Sequence, residues 1–123
     1  MIKVFNVTND QIAVALESFG LHVYYGEVPE DKSNEYNFFY FRENNLEGGN
    51  VRYLIQNVDI YYVSTNQDSL KEAEIIDKLE SIGLGFNNAA YERLRVEETN
   101  NFIDIVEFSV SRKMKKVKCN ARV

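Results

Sequence analysis

Apolar residues recur along this chain with two periods, and the switches between them mark out the elements. In "TNDQIAVALESFG", Thr8 to Gly20, Ile12, Leu16 and Phe19 are spaced four and three apart and so share one face of a helix. Thr8 with Gln11 predicts a capping box, Val7 with Ile12 a hydrophobic staple, and Gly20 the stop. In "SLKEAEIIDKLESIG", Ser69 and Glu72 predict a second capping box, and Leu70, Ala73, Ile76 and Leu79 a buried stripe that reaches Ile82 and ends at Gly83. A turn of helix is expected to begin near Asn66, and the spacing of Glu74 and Lys78 predicts a surface pair.

Elsewhere the period is two. "LHVYYGEV" predicts a short strand stopped by Gly26 and Pro29, and "PEDKSNE" a polar loop. "EYNFFYFRE" predicts a strand from Tyr36 to Arg42, with Phe38 and Tyr40 on one side and Phe39 and Phe41 on the other. "NNLEGGN" reads as a seven-residue connection to a second strand, Val51 to Ser64. Tyr53, Ile55, Tyr61 and Val63 share one of its faces, and Leu54, Val58, Ile60 and Tyr62 the other. "GLGFNNAA" reads as loop, and "YERLRVEE" with "FIDIVEFSVSRKM" as an antiparallel pair around Thr99 to Asn101.

These elements define an α+β fold, a mixed or antiparallel β-sheet of four to five strands packed on one face by two α-helices. Two short helices cannot cover both faces, yet both faces carry aromatics. Burying a Phe or Tyr is worth roughly 1.5–3 kcal/mol by apolar transfer, so the second face is expected to meet another subunit, the alternative being a sheet that coils around a second core of its own. The candidate interface is Phe38, Tyr40, Tyr53, Ile55 and Tyr61, joined by Arg112, Lys113, Lys115 and Lys116; the tyrosine hydroxyl makes Phe38/Tyr40 the better interface pair.

With 123 residues, one domain over 1–117 and a short basic tail over 118–123 are expected. No apolar run is long enough to span a bilayer and the start lacks a leader-like pattern, which predicts no membrane association and a chain kept in the cytoplasm. The single cysteine, Cys119, excludes an intrachain disulfide. Charge is divided: residues 1–111 hold nineteen acidic against eight basic residues, whereas 112–123 hold six basic and no acidic ones. An acidic body disfavours wrapping nucleic acid, while "RKMKKVK" can meet an acidic neighbour, simply solubilise the end or, as the least favoured reading, contact nucleic acid directly.

Catalytic chemistry is poorly supported. His22, the only histidine, reads as a partly buried strand residue. Glu27, Glu30, Asp31 and Glu35 match no calcium loop, Asp104 and Glu107 fall on opposite strand faces, and "GLG" at 83–85 reads as a helix stop. Ser64, Ser69, Ser109 and Ser111 have no base in a recognisable arrangement, so no catalytic residue, metal or cofactor is expected. A small enzyme built on the clustered carboxylates would need a pocket where they converge, and a monomeric adaptor would need an open sheet edge.

The order of these elements, carried by "TNDQIAVALESFG", "VRYLIQNVDIYYVS", "SLKEAEIIDKLESIG", "YERLRVEE" and "FIDIVEFSVSRKMK", resembles the tail-terminator (tail-completion) proteins of long-tailed bacteriophages, especially of Gram-positive hosts. It covers about residues 8 to 116 and includes no catalytic motif. The resemblance implies a virion structural protein assembled in the host cytoplasm as a hexameric ring at the head-proximal end of the tail. Such a ring stops growth of the tail-tube protein and joins the head-tail connector protein, with DNA passing through its channel without specific binding. Head completion or neck proteins of the connector, or a small non-viral oligomeric adaptor, are the alternative readings.

Overall fold

The structure, a computed structural model, describes residues 6–29, 37–65, 69–95 and 102–116, without the side chains of 69 and 70. The elements run α1 (Asn9–Glu17), β1 (His22–Tyr25), β2 (Phe38–Gly48), β3 (Tyr53–Ser64), α2 (Ser69–Ser81), β4 (Gly85–Arg95) and β5 (Phe102–Lys115). They form one five-stranded sheet in the order β1-β2-β3-β5-β4. β1 is parallel to β2 and every other pair is antiparallel. The α+β class expected from the sequence is the one observed.

Local signals place α1. The Thr8 side chain accepts from the Gln11 N–H at 3.1 Å, and Gln11 Oε1 accepts from the Thr8 N–H at 2.8 Å, closing the capping box. Val7, Ile12 and Leu16 are buried, and Gly20 ends the run with φ +82°. At the end of α2, Leu84 N–H bonds to Leu79 C=O and Gly83 N–H to Glu80 C=O, with Gly83 at φ +108°. This Schellman arrangement satisfies two orphan carbonyls and turns Leu84 into the core beside Leu79. "GLG" is therefore a helix stop followed by the first residue of a strand.

The core lies between the helices and one face of the sheet. Phe39 and Phe41 of β2 stand in register with Tyr62 and Ile60 of β3, which pair in turn with Val106 and Phe108 of β5. All of these are buried, together with Ile12 and Leu16 from α1 and Ile75 and Leu79 from α2. Phe39 stacks on Tyr62 with ring centroids 5.1 Å apart, and Phe19 at the end of α1 lies 6.0 Å from the Phe39 ring.

Four expectations are corrected. The buried row of α2 is Glu72, Ile75 and Leu79, with Ile76 and Ile82 at its flank and Ala73 exposed. Adjacent Ile75 and Ile76 fit two rows a residue apart, and Glu72 disguised the true one; its carboxylate receives the Tyr91 hydroxyl of β4. The connection between β2 and β3 is not seven residues long. Asn45–Gly48 continue in register with Asn57–Leu54 after a bulge between Glu43 and Asn45. The turn is residues 49–52, where Asn50 Oδ1 accepts from the Arg52 and Tyr53 N–H groups and a Cβ on Gly49 would collide with the Tyr53 ring. "GFNNAA" is likewise the first half of β4, because pairing with β5 outweighs the weak strand preference of Gly, Asn and Ala. His22 is exposed, on the face away from the helices.

Several expectations lie outside the described residues: the acidic positions Glu30, Asp31 and Glu35, the helix turn near Asn66, the Ser69 cap, the Thr99 to Asn101 turn, Lys118 and Cys119. Phe39 is fully buried, so Phe39→Ala should lower stability by about 3–5 kcal/mol, read as a reduced urea midpoint with unchanged slope.

Candidate functional site

Strand register sorts the sequence's candidates onto two faces. Phe39 and Phe41 belong to the helix side, which leaves Phe38 and Tyr40 on the face that, among the described residues, has no helix over it. Tyr61 is opposite Tyr40, and through β3 and β5 the same face carries Tyr53, Ile55, Lys113 and Lys115. Seven of the nine expected interface residues thus converge. Phe38 is only 6% exposed and adds little to any outer contact.

The uncovered face has three zones. At one end the Tyr40 and Tyr61 rings stack 4.4 Å apart and nearly parallel, Phe38 leans on Tyr40, and Tyr24 meets the Phe38 ring edge-on. Beside them the carboxylates of Asp59, Glu92 and Glu107 face one guanidinium, Arg42. Burial first pushes the Tyr40 and Tyr61 hydroxyls above their ordinary value; Glu107 and Asp59 add to this at both and Glu92 at Tyr40, while Arg42 acts against them. A hollow of about 260 Å³ lies here, lined by Tyr61, Ala90, Tyr91, Glu92, Ile105 and Glu107. Its two carboxylates have no histidine, serine or cysteine beside them in the lining.

The middle zone is an amide and hydroxyl belt that crosses four strands. Asn57 donates to Asn45 and Glu47, both at 2.6 Å, and accepts from the Ser111 hydroxyl at 2.7 Å. Asn87, standing in the β4 bulge, donates to Ser111 at 2.8 Å. Ser109 and Ser111 therefore serve as rungs of a polar ladder. The third zone is the basic end, where Lys113 Nζ sits 4.6 Å from the centre of the Tyr53 ring and Lys115 is exposed.

Arg112 and Lys116 fall on the other parity, and for Arg112 this overturns the expectation of a surface cation. Arg112 is 5% exposed and points to the helix side, where its Nε donates to Gln56 at 2.9 Å and its Nη1 to Val7 C=O at 2.8 Å and to Asn9 at 2.9 Å. Glu43 lies 3.6 Å from its Nη2. Burial lowers the guanidinium pKa, while Glu43 and Tyr25 oppose that shift. Glu43 accepts from the Tyr25 hydroxyl and from Asn9 Nδ2, and the Tyr25 bond, followed by the Asn9 bond and the Arg112 charge, holds its pKa below the usual 4.5. The group clamps the start of α1 to β1, β2, β3 and β5. In a basic run, sequence spacing gives the parity of Arg112 but not that its side is the covered one.

The remaining polar candidates separate. Asp104 makes a two-point ion pair with Arg93 on the helix side, at 2.7 and 3.2 Å, whereas Glu107 lies on the uncovered side within 3.4 Å of the Tyr61 hydroxyl. Among the described residues no group of three or more His, Cys, Asp or Glu side chains is placed to hold a metal ion, and no helix is long and apolar enough to cross a membrane. Comparison of the chain with protein-family models and with curated proteins finds no match. The class is thus set by fold and face: a two-layer α+β domain whose sheet is covered on one side and patterned with aromatics, amides and lysines on the other.

Replacing Arg112 with Ala should cost about 2–4 kcal/mol in urea unfolding, because it strands Gln56, Asn9 and the Val7 carbonyl beside Glu43. Glu43 has a depressed pKa, so its contribution is present above the unfolded value and is lost as pH falls from 4.5 through the lower folded value. Glu43→Gln should remove that part of the acid dependence, seen as a flatter stability curve below pH 4.5.

Proposed function

We propose that this chain is a structural virion protein of the tail-terminator type, which forms a ring on the end of a phage tail tube, ends its polymerisation and offers a joining surface to the head connector. The observation that carries the reading is the uncovered sheet face: seven interface candidates chosen from sequence spacing lie together on it. A ring also closes through the meeting of two unlike surfaces. Apolar side chains stand exposed at opposite ends of the sheet, Leu46 and Val51 around the β2–β3 turn and Leu94 and Phe102 at the far end of β4 and β5, and these supply a second kind of contact.

In this reading no bond is made or broken. Neighbouring copies would bury the Tyr40–Tyr61 stack and the hairpin ends, the acidic body would let DNA slide through the channel, and the basic end would contact acidic surfaces of adjacent ring or tube subunits. A monomeric adaptor is favoured by one observation only, the eleven-residue β4, which has a bonded neighbour on just one side among the described residues.

Electron microscopy of the purified chain at high concentration, alone and with tail-tube protein, should show closed rings whose subunits can be counted. Assembly should be weakened at least about tenfold by reversing the charges of Lys113, Lys115 and Lys116 together. A strict monomer at about 100 µM or above, unchanged by added tube protein, would remove this reading and leave the adaptor.

A further inference from the structure

The charge pattern of the uncovered face is complementary to itself. The Asn57–Ser111 pair lies at its centre, on the neighbouring strands β3 and β5. Four residues to one side stand Tyr61 and Glu107, and four to the other stand Tyr53 and Lys115. On β2, Asn45 is level with Asn57, while Arg42 is level with Asp59 and Glu47 with Ile55 on opposite sides of that centre. We infer that this face docks on the same face of a second copy of the chain, about a two-fold axis that crosses the strands at Asn57 and Ser111.

Half a turn about such an axis lays β3 on β3 and β5 on β5 with strands reversed, at the roughly 10 Å spacing of packed sheets. Each Lys115 then faces the second copy's Glu107, each Arg42 its Glu47, and each Tyr53 its Tyr61. Lys113 meets Ser109, whose neighbour in register is Asp59. No like charges meet directly in these columns. Long Lys, Arg and Tyr side chains reach across the gap, and by symmetry every contact is made twice.

The centre of the face suits being covered. Asn57 already spends its amide on Asn45, Glu47 and Ser111, and Ser111 receives Asn87, so these polar atoms keep their partners when water leaves. The pairing does not rest on the ring reading, since a ring joins unlike surfaces and this contact joins like ones. The two contacts use the same face, so the pair is the form of a chain that has not entered a ring.

Sedimentation equilibrium of the full chain over about 10–500 µM tests the pairing against mass action. The wild type should approach twice the monomer mass, and Lys115→Glu and Glu107→Lys should each weaken association by about 10–100-fold. An equimolar mixture of the two variants should restore it, because both contacts of the mixed pair are then between opposite charges. Thermal melts check that the variants fold, and Glu107→Gln, which keeps size and shape, replaces Glu107→Lys if that variant does not. A wild type that stays monomeric throughout, or a mixture no tighter than its components, overturns the inference. Rescue into species larger than two copies overturns the two-fold arrangement as well. Failure to see rings by microscopy bears on the ring reading alone.

Discussion

Two helices of nine and thirteen residues cannot cover both faces of a five-stranded sheet, and the rest of the molecule follows from that shortage. The covered side takes the residues that tolerate no water: Phe39, Phe41, Ile60 and Phe108 are all at most 1% exposed. The other side, over which no described helix lies, must be stable against water and carries tyrosines at Tyr40, Tyr53 and Tyr61. Tyrosine suits that position, since its ring gives apolar area with a hydroxyl that can stay wet. Tyr40 and Tyr61 shield each other by stacking, and Lys113 lies over Tyr53, so each aromatic is partly covered within the chain.

Where the helix layer runs out, the protein changes chemistry instead of leaving a gap. Beyond Val58 and Val110 the helix side of the sheet continues as Gln56 and Arg112, and α1 starts over them with Asn9, Val7 standing just ahead of its cap. The guanidinium reads three elements at once and fixes where α1 starts. Glu43 completes the set next to the bulge in β2, so the irregular strand and the buried cation share one location. A bulge there re-aims β2 so that Asn45 and Glu47 join the uncovered belt, and the polar ladder depends on that change.

Much of this was legible in the sequence. The α1 capping box, the glycine stops and the alternation of β2, β3 and β5 are local or strictly periodic, and they hold in the structure. What failed was of another kind. Asn45–Gly48 and Gly85–Ala90 became strands because their neighbours offered hydrogen bonds, and no residue within either segment announces that. The row of α2 was misassigned because a carboxylate, Glu72, occupies a buried position that pattern reasoning reserves for apolar residues. In the sequence Arg112 reads as one member of a basic run, and its burial depends on Gln56 and Asn9, which are 56 and 103 residues away in sequence. Of the interface candidates, alternation correctly grouped those on β2, β3 and β5 but could not tell which side the helices would take.

Asn6 has a bearing on how the sheet can grow. It adopts φ +59°, gives its N–H to Lys113 C=O and receives the Lys115 N–H on its side-chain oxygen. It thereby occupies the flank of β5 past the point where β4 begins, and β1 at the opposite edge is only four residues long. β1 pairs with β2 only over Phe38–Phe41, so among the described residues the stretches bonded on one side only are β4 at one edge and β2 beyond Phe41 at the other. Strand addition can therefore begin at either edge, and at the β2 edge the bulge after Glu43 interrupts the row of hydrogen-bonding groups.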